Sequence, residues 1–171
     1  IFPNGVLEIP LGPHMTGRGW FNIDFPQFER FIKTGEFAKR YPSGMKDARL
    51  RAEKFLKAIT TDYSKSFIGG FSQGAMLTTD ILLNSDIQPK GAILLSATLV
   101  NEDEWRELAK KKTFRFFQSH GKSDSILPYE LSLSLNQLFT ECEYDGEYVD
   151  FSGGHEIPMQ VLKKLESFIN S

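Results

Sequence analysis

Apolar residues in this chain alternate between short continuous runs and helically spaced sets, which predicts strands alternating with helices. Ser66-Phe67-Ile68-Gly69 reads as the end of a buried strand, and Ala75, Met76, Thr79 and Leu83 after it recur at helical spacing. Ala92-Ile93-Leu94-Leu95-Ser96 is the kind of run that parallel sheets bury on both faces. Phe114 to Ser119 and Tyr148 to Phe151 are two further strands. Helical faces are marked by Ala48, Ala52, Phe55, Leu56 and Ile59, and by Leu131, Leu135, Leu138 and Phe139. A last helix begins at Pro158, a residue suited to a first helical position, and carries Val161, Leu162, Leu165, Phe168 and Ile169. Asn101 can cap another helix, with Glu102, Asp103 and Glu104 placed favourably in its first turn. The opening, to about residue 26, is punctuated by Gly and Pro. This order predicts an α/β fold with a mainly parallel sheet. No repeat, low-complexity tract or boundary divides residues 1–171, so one domain is expected.

The pattern gives one pentapeptide a particular context. Gly70-Phe71-Ser72-Gln73-Gly74 is a G-x-S-x-G motif lying between a predicted strand and a predicted helix. A sharp turn there would hold the Ser72 hydroxyl on a strained, exposed corner, and Gly70 and Gly74 would let backbone pass close by. Free N–H groups at the start of the helix would face any negative charge developing beside the serine. Downstream, Asp124 follows one predicted strand, in His120-Gly121-Lys122-Ser123-Asp124, and His155 follows another, in Ser152-Gly153-Gly154-His155. The order Ser72, Asp124, His155 is that of the α/β-hydrolase triad. Loops after parallel strands emerge at one sheet edge, so the three can converge. In that chemistry Ser72 is the nucleophile and His155 the base, Asp124 orients His155, and the Gln73 backbone N–H is an oxyanion donor. Each has a plainer reading: Ser72 as a helix cap, Asp124 as a turn residue, His155 as an exposed loop histidine. His120 reads as loop support, and His14 has no identifiable partner.

These segments resemble the phospholipase/carboxylesterase family of α/β-hydrolases, which includes the acyl-protein thioesterases. The resemblance rests on Gly69 to Ala75 (GGFSQGA), Ser119 to Pro128 (SHGKSDSILP) and Gly153 to Ile157 (GGHEI). Gly19 to Ile23 (GWFNI) and Ser43 to Ala48 (SGMKDA) support it. It implies an α/β-hydrolase fold with helices on both faces of the sheet and hydrolysis of carboxylic esters or acyl thioesters. Expected substrates are a small-molecule ester or acyl thioester, an S-acylated protein or a lysophospholipid. Family members open with strands and a His-Gly loop that supplies a second oxyanion donor, and no such loop precedes Ile1. Ile1-Phe2-Pro3-Asn4-Gly5 is similar to the end of the family's fourth strand, so the domain is expected to be N-terminally incomplete. An open lane should then separate Ile1-Phe2 from Phe67-Ile68.

Trp20, Leu99 and Leu127 are candidates for lining an acyl pocket, although large apolar side chains are more often core. Gly35 to Pro42 reads either as a cover over the site or as a solvated surface helix. Two other readings share these motifs: a serine peptidase of the same fold, and a catalytically weak acyl-binding module.

Bulk composition narrows the partners. Twenty basic and 22 acidic residues give a net charge of −2, which offers no electrostatic reason to expect nucleic acid. No apolar run approaches membrane-spanning length. The single cysteine, Cys142, excludes an internal disulfide framework and fits a reducing, cytoplasmic setting. No His, Cys, Asp and Glu spacing suggests a metal site, and neither metal nor cofactor is expected.

Overall fold

A computed structural model of the chain describes residues 1–12 and 15–171. His14 lies outside the described residues. The opening folds as an antiparallel hairpin, β1 (Leu7–Gly12) and β2 (Met15–Gly19), with Glu8 opposite Arg18. Ile1 and Phe2 form no strand and are 87% and 99% exposed. Pro3 withholds a backbone donor, and no described strand lies alongside for the pair to join.

Helix α1 (Phe25–Thr34) follows, and the sequence reading had not placed it. Its signals are local. The Asp24 side chain accepts the Gln27 N–H at 3.0 Å, Pro26 sits in the first turn, and Gly35 ends the helix at φ 70°. Phe28, Phe31 and Ile32, three and four residues apart, turn one face toward the core. A short 3-10 turn at Phe37–Lys39 buries Phe37 and Ala38, while Gly35, Glu36 and Lys39 to Tyr41 stay exposed. Helix α2 (Met45–Ile59) buries Met45, Ala48 and Ala52 and leaves Ile59 exposed at its end.

Four parallel strands then build the sheet: β3 (Phe67–Phe71), β4 (Gly91–Leu95), β5 (Phe116–Gly121) and β6 (Gly146–Phe151). They lie in sequence order, and β3 pairs only with β4 among the described residues. On its other edge no described strand pairs with it, and neither does Ile1-Phe2. The connecting helices are α3 (Gln73–Asn84), α4 (Glu102–Ala109) and α5 (Tyr129–Glu141), and α6 (Met159–Asn170) closes the chain. Two boundaries move from the sequence reading. Phe114 is buried ahead of β5, and His120-Gly121 belongs to the strand rather than to the loop after it. Asn101 stands at the N-cap of α4, but its side chain donates to Glu104 Oε2 and makes no backbone cap.

Side chains alternate across the sheet, and two cores result. Ile68, Ala92, Leu94 and Phe116 face the large core with residues of α2, α3, α4 and α5. Leu95, Phe117, Val149 and Phe151 face the other side, where Val161 and Phe168 of α6 cover them. Helices therefore lie on both faces. The α6 stripe is narrow because it meets a sheet on one side only, so Leu162 and Ile169 remain exposed.

Phe168 holds α6 to this smaller core. Its ring meets Phe67 at 5.9 Å and Phe117 at 5.6 Å, with the Arg115 guanidinium 4.0 Å above it. Phe168→Ala should lower unfolding free energy by about 3–5 kcal/mol in urea titrations, the usual cost of emptying a buried phenylalanine site.

Candidate active site

Strand β3 turns into α3 at Ser72, whose backbone stands at φ 57°, ψ −120°. A non-glycine residue in that region costs about 1–3 kcal/mol and persists only where its surroundings hold it. The Ser72 N–H donates to Leu95 O at 2.8 Å, and Ser72 O accepts from the N–H groups of Ala75 and Met76 at 2.9 and 3.2 Å. Gly70 completes the corner, since a Cβ there would lie 2.3 Å from Gly74 C and 2.4 Å from Gly74 O. Gly74 is less constrained than the motif suggested; an added Cβ would meet nothing closer than Trp20 Nε1 at 3.8 Å. Among the described residues the Gln73 N–H has no hydrogen-bond partner, as expected of a first helical position.

The loops after β5 and β6 bring Asp124 and His155 to this corner. They are stitched together by the Lys122 N–H to Phe151 O and the Ser123 N–H to Gly153 O, both 2.9 Å. Gly121 permits their close approach, because a Cβ there would lie 2.2 Å from Gly154 O. The Asp124 side chain is fully buried. Its Oδ1 accepts the N–H groups of Ile126 and Leu127 at 2.9 and 2.8 Å, and its Oδ2 lies 2.7 Å from His155 Nδ1. Burial pushes this carboxyl upward, but the Leu127 N–H, the His155 ring and the Ile126 N–H outweigh burial and leave it below the ordinary carboxylate range. An ionised Asp124 can only accept, so Nδ1 of His155 carries the proton and Nε2 presents a lone pair. That Nε2 lies 2.9 Å from Ser72 Oγ.

His120 supports this arrangement from below. It is fully buried, donates from Nε2 to Leu127 O at 2.8 Å, and lies 3.4 Å from Asp124 Oδ2. Burial lowers its pKa, so the ring is neutral and adds no charge behind Asp124.

A cavity of about 350 Å³ opens beside Ser72. Phe21, Phe28, Phe31 and Phe37 give it aromatic walls, Met76 and Leu127 border it, and Tyr41 to Ser43 form one side. Of the three apolar candidates, only Leu127 lines it. Leu99 is wholly buried in the large core, and Trp20 packs against that core outside the lining. Most of the lining comes from the stretch between Phe21 and Ser43 that includes α1 and the 3-10 turn, where the spacing of Asp24, Pro26 and Gly35 was the available signal.

The Gln73 side chain does a second job that no motif announced. Its Oε1 accepts the Trp20 N–H at 2.6 Å and its Nε2 donates to Phe21 O at 2.8 Å, so one amide clamps the segment entering the cavity. Among the described residues no group of three or more His, Cys, Asp or Glu could hold a metal, and no helix is long and apolar enough to cross a membrane.

A parallel sheet flanked by helices, with a serine at a strand-to-helix corner, defines the α/β-hydrolase fold. SOBER1 of Arabidopsis thaliana shares it, with a TM-score of 0.70 over 95% of this chain and 80% of that one at 21% identity. The chain belongs to the phospholipase/carboxylesterase family, whose model matches residues 1–171. It is 30% identical to acyl-protein thioesterase 1 of Neurospora crassa over 60% of this chain and 44% of that protein. With acyl-protein thioesterase 1 of Kluyveromyces lactis it is 24% identical over 99% of this chain and 76% of that protein. The chain thus spans less than half the length of the Neurospora protein in that match.

The two motif glycines should respond differently to a methyl group. Gly70→Ala is expected to destabilise by about 1–3 kcal/mol, the range for overpacking, while Gly74→Ala should cost less than half as much. Thermal melts of the two variants check the difference.

Proposed function

We propose that the chain is the hydrolytic part of a serine esterase or acyl thioesterase, with Ser72 as nucleophile, His155 as general base and Asp124 orienting it. The observation that carries this reading is the unbroken series of contacts from buried Asp124 through His155 to a strained, cavity-facing Ser72 hydroxyl. Serine is a weak nucleophile at neutral pH, and a neutral imidazole at 2.9 Å is positioned to remove its proton. Oγ then bonds to the acyl carbon, and the carbonyl oxygen becomes an oxyanion facing the Gln73 N–H. Collapse breaks the bond to the alcohol or thiol, which leaves with the proton held by His155. Water, deprotonated by the same ring, attacks the acyl carbon; the bond to Ser72 Oγ then breaks, His155 returns its proton to that oxygen, and the carboxylic acid is released.

The cavity argues for the acyl side of the bond. Its volume lies within the range of small-molecule pockets, and its aromatic walls suit a hydrocarbon chain. The names of the matched relatives favour an acyl thioester, including one carried on a protein, over a simple ester. No feature of the lining selects a peptide.

A fluorophosphonate probe should label Ser72 in the wild type and not in Ser72→Ala, and ester turnover should fall by several orders of magnitude, as it does when a triad nucleophile is removed. An unlabelled wild type would favour an acyl-binding module instead. His155→Ala should likewise lower kcat by several orders of magnitude, because Ser72 is then left without a base. A His155→Ala variant that keeps most of the wild-type kcat would exclude a histidine base.

A further inference from the structure

Asp80 lies on α3, eight residues beyond Ser72, in a helix buried from Ala75 to Leu83, and its side chain has no solvent exposure. A carboxylate buried that deeply is costly unless donors surround it. Four side chains converge on it. Tyr41 OH donates to Oδ2 at 2.9 Å, and Trp105 Nε1 and Asn84 Nδ2 donate to Oδ1 at 3.0 and 3.1 Å. Arg49 Nε sits 3.1 Å from Oδ2, close enough to pair its charge although the N–H is not aligned for a hydrogen bond. Arg49 in turn holds Glu53 at 2.8 Å. One carboxylate therefore joins α2, α3, α4 and the segment before α2.

That segment is the wall of the cavity. Arg40, Tyr41, Pro42 and Ser43 all line it, and the Tyr41 ring is partly exposed. Two tertiary hydrogen bonds fasten it: Tyr41 OH to Asp80, and the Asn101 N–H to Arg40 O at 3.0 Å. Burial and the Asp80 carboxylate push the Tyr41 hydroxyl well above the ordinary tyrosine range, which keeps it protonated and donating. The helix that begins beside the nucleophile thus also carries the anchor of the wall.

We propose that Asp80 is a positioning residue for acyl-chain recognition: through Tyr41 it sets the distance between the Tyr41–Ser43 wall and Ser72, and hence the preference among acyl lengths. The inference rests on the serine-hydrolase reading. A chain too short to reach the wall reports only on the nucleophile, whereas a longer one reports on both.

The test compares p-nitrophenyl acetate with p-nitrophenyl decanoate in the wild type, Tyr41→Phe, Asp80→Asn and the double variant. Tyr41→Phe keeps the ring and removes only the hydroxyl. The ratio of decanoate to acetate kcat/KM should fall on the order of tenfold, mainly through KM, since a hydrogen bond to a charged group is lost. The double variant should shift the ratio no further than the larger single change, because both substitutions break one contact. An unchanged ratio in Tyr41→Phe, or equal losses on both esters, overturns the proposal by reducing Asp80 to a stability role. Should Asp80→Asn fail to fold, Tyr41→Phe alone decides. A wild type that neither hydrolyses acetate nor takes fluorophosphonate at Ser72 overturns the hydrolase reading itself, an outcome separate from an unchanged ratio.

Discussion

The corner at Ser72 is the constraint on which the rest of the site depends. A residue at φ 57°, ψ −120° would relax if left free, and here it is held by the Leu95 carbonyl behind it and by the first turn of α3 ahead of it. Gly70 makes this possible by letting the helix backbone lie against the strand. Since the corner fixes where the hydroxyl points, it also fixes where a base must stand and where an acyl carbon could sit. The parallel sheet brings His155 and Asp124 to it, because the ends of β5 and β6 emerge at the same edge as the end of β3.

Two buried carboxylates organise the space around that corner in different ways. Asp124 is held by two backbone N–H groups and the His155 ring, an environment that keeps it ionised and selects the tautomer facing Ser72. Asp80 is surrounded by side chains from four segments, and burial leaves its carboxyl above the ordinary range despite the Trp105, Tyr41 and Arg49 donors. The first carboxylate orients the His155 ring toward Ser72. The second fastens the wall of a cavity. Both are costly to bury, and removing a partner from either would leave polar atoms unpaired in the interior.

Much of this was legible in the chain. The apolar runs at Ala92 to Ser96 and Tyr148 to Phe151, and the helical faces of α2, α3, α5 and α6, follow from local periodicity that burial in a parallel sheet enforces. The order of Ser72, Asp124 and His155 was readable because each follows a strand, and strand ends are marked by composition. Boundaries were less secure. His120-Gly121 reads as loop by its residue types, yet pairing with Asp150 and Phe151 extends β5 through it. The expected strand at Ile1-Phe2 did not form, since two apolar residues before a proline make a strand only when another lies beside them.

The sequence by itself determined which residue types lie at the ends of which elements, because hydrophobic period and turn chemistry act over a few neighbours. It therefore placed the serine, aspartate and histidine, though not the pocket. Leu99 and Trp20 look as suitable for lining as Leu127, and only packing separates them. The Gln73 clamp on Trp20 and Phe21 and the meeting of Tyr41 with Asp80 join residues 39 or more positions apart, and the cavity sets the aromatic side chains of Phe21 to Phe37 beside Ser72 and Leu127. Contacts at that range leave no period in the chain, since they come into being only when the helices settle on the sheet.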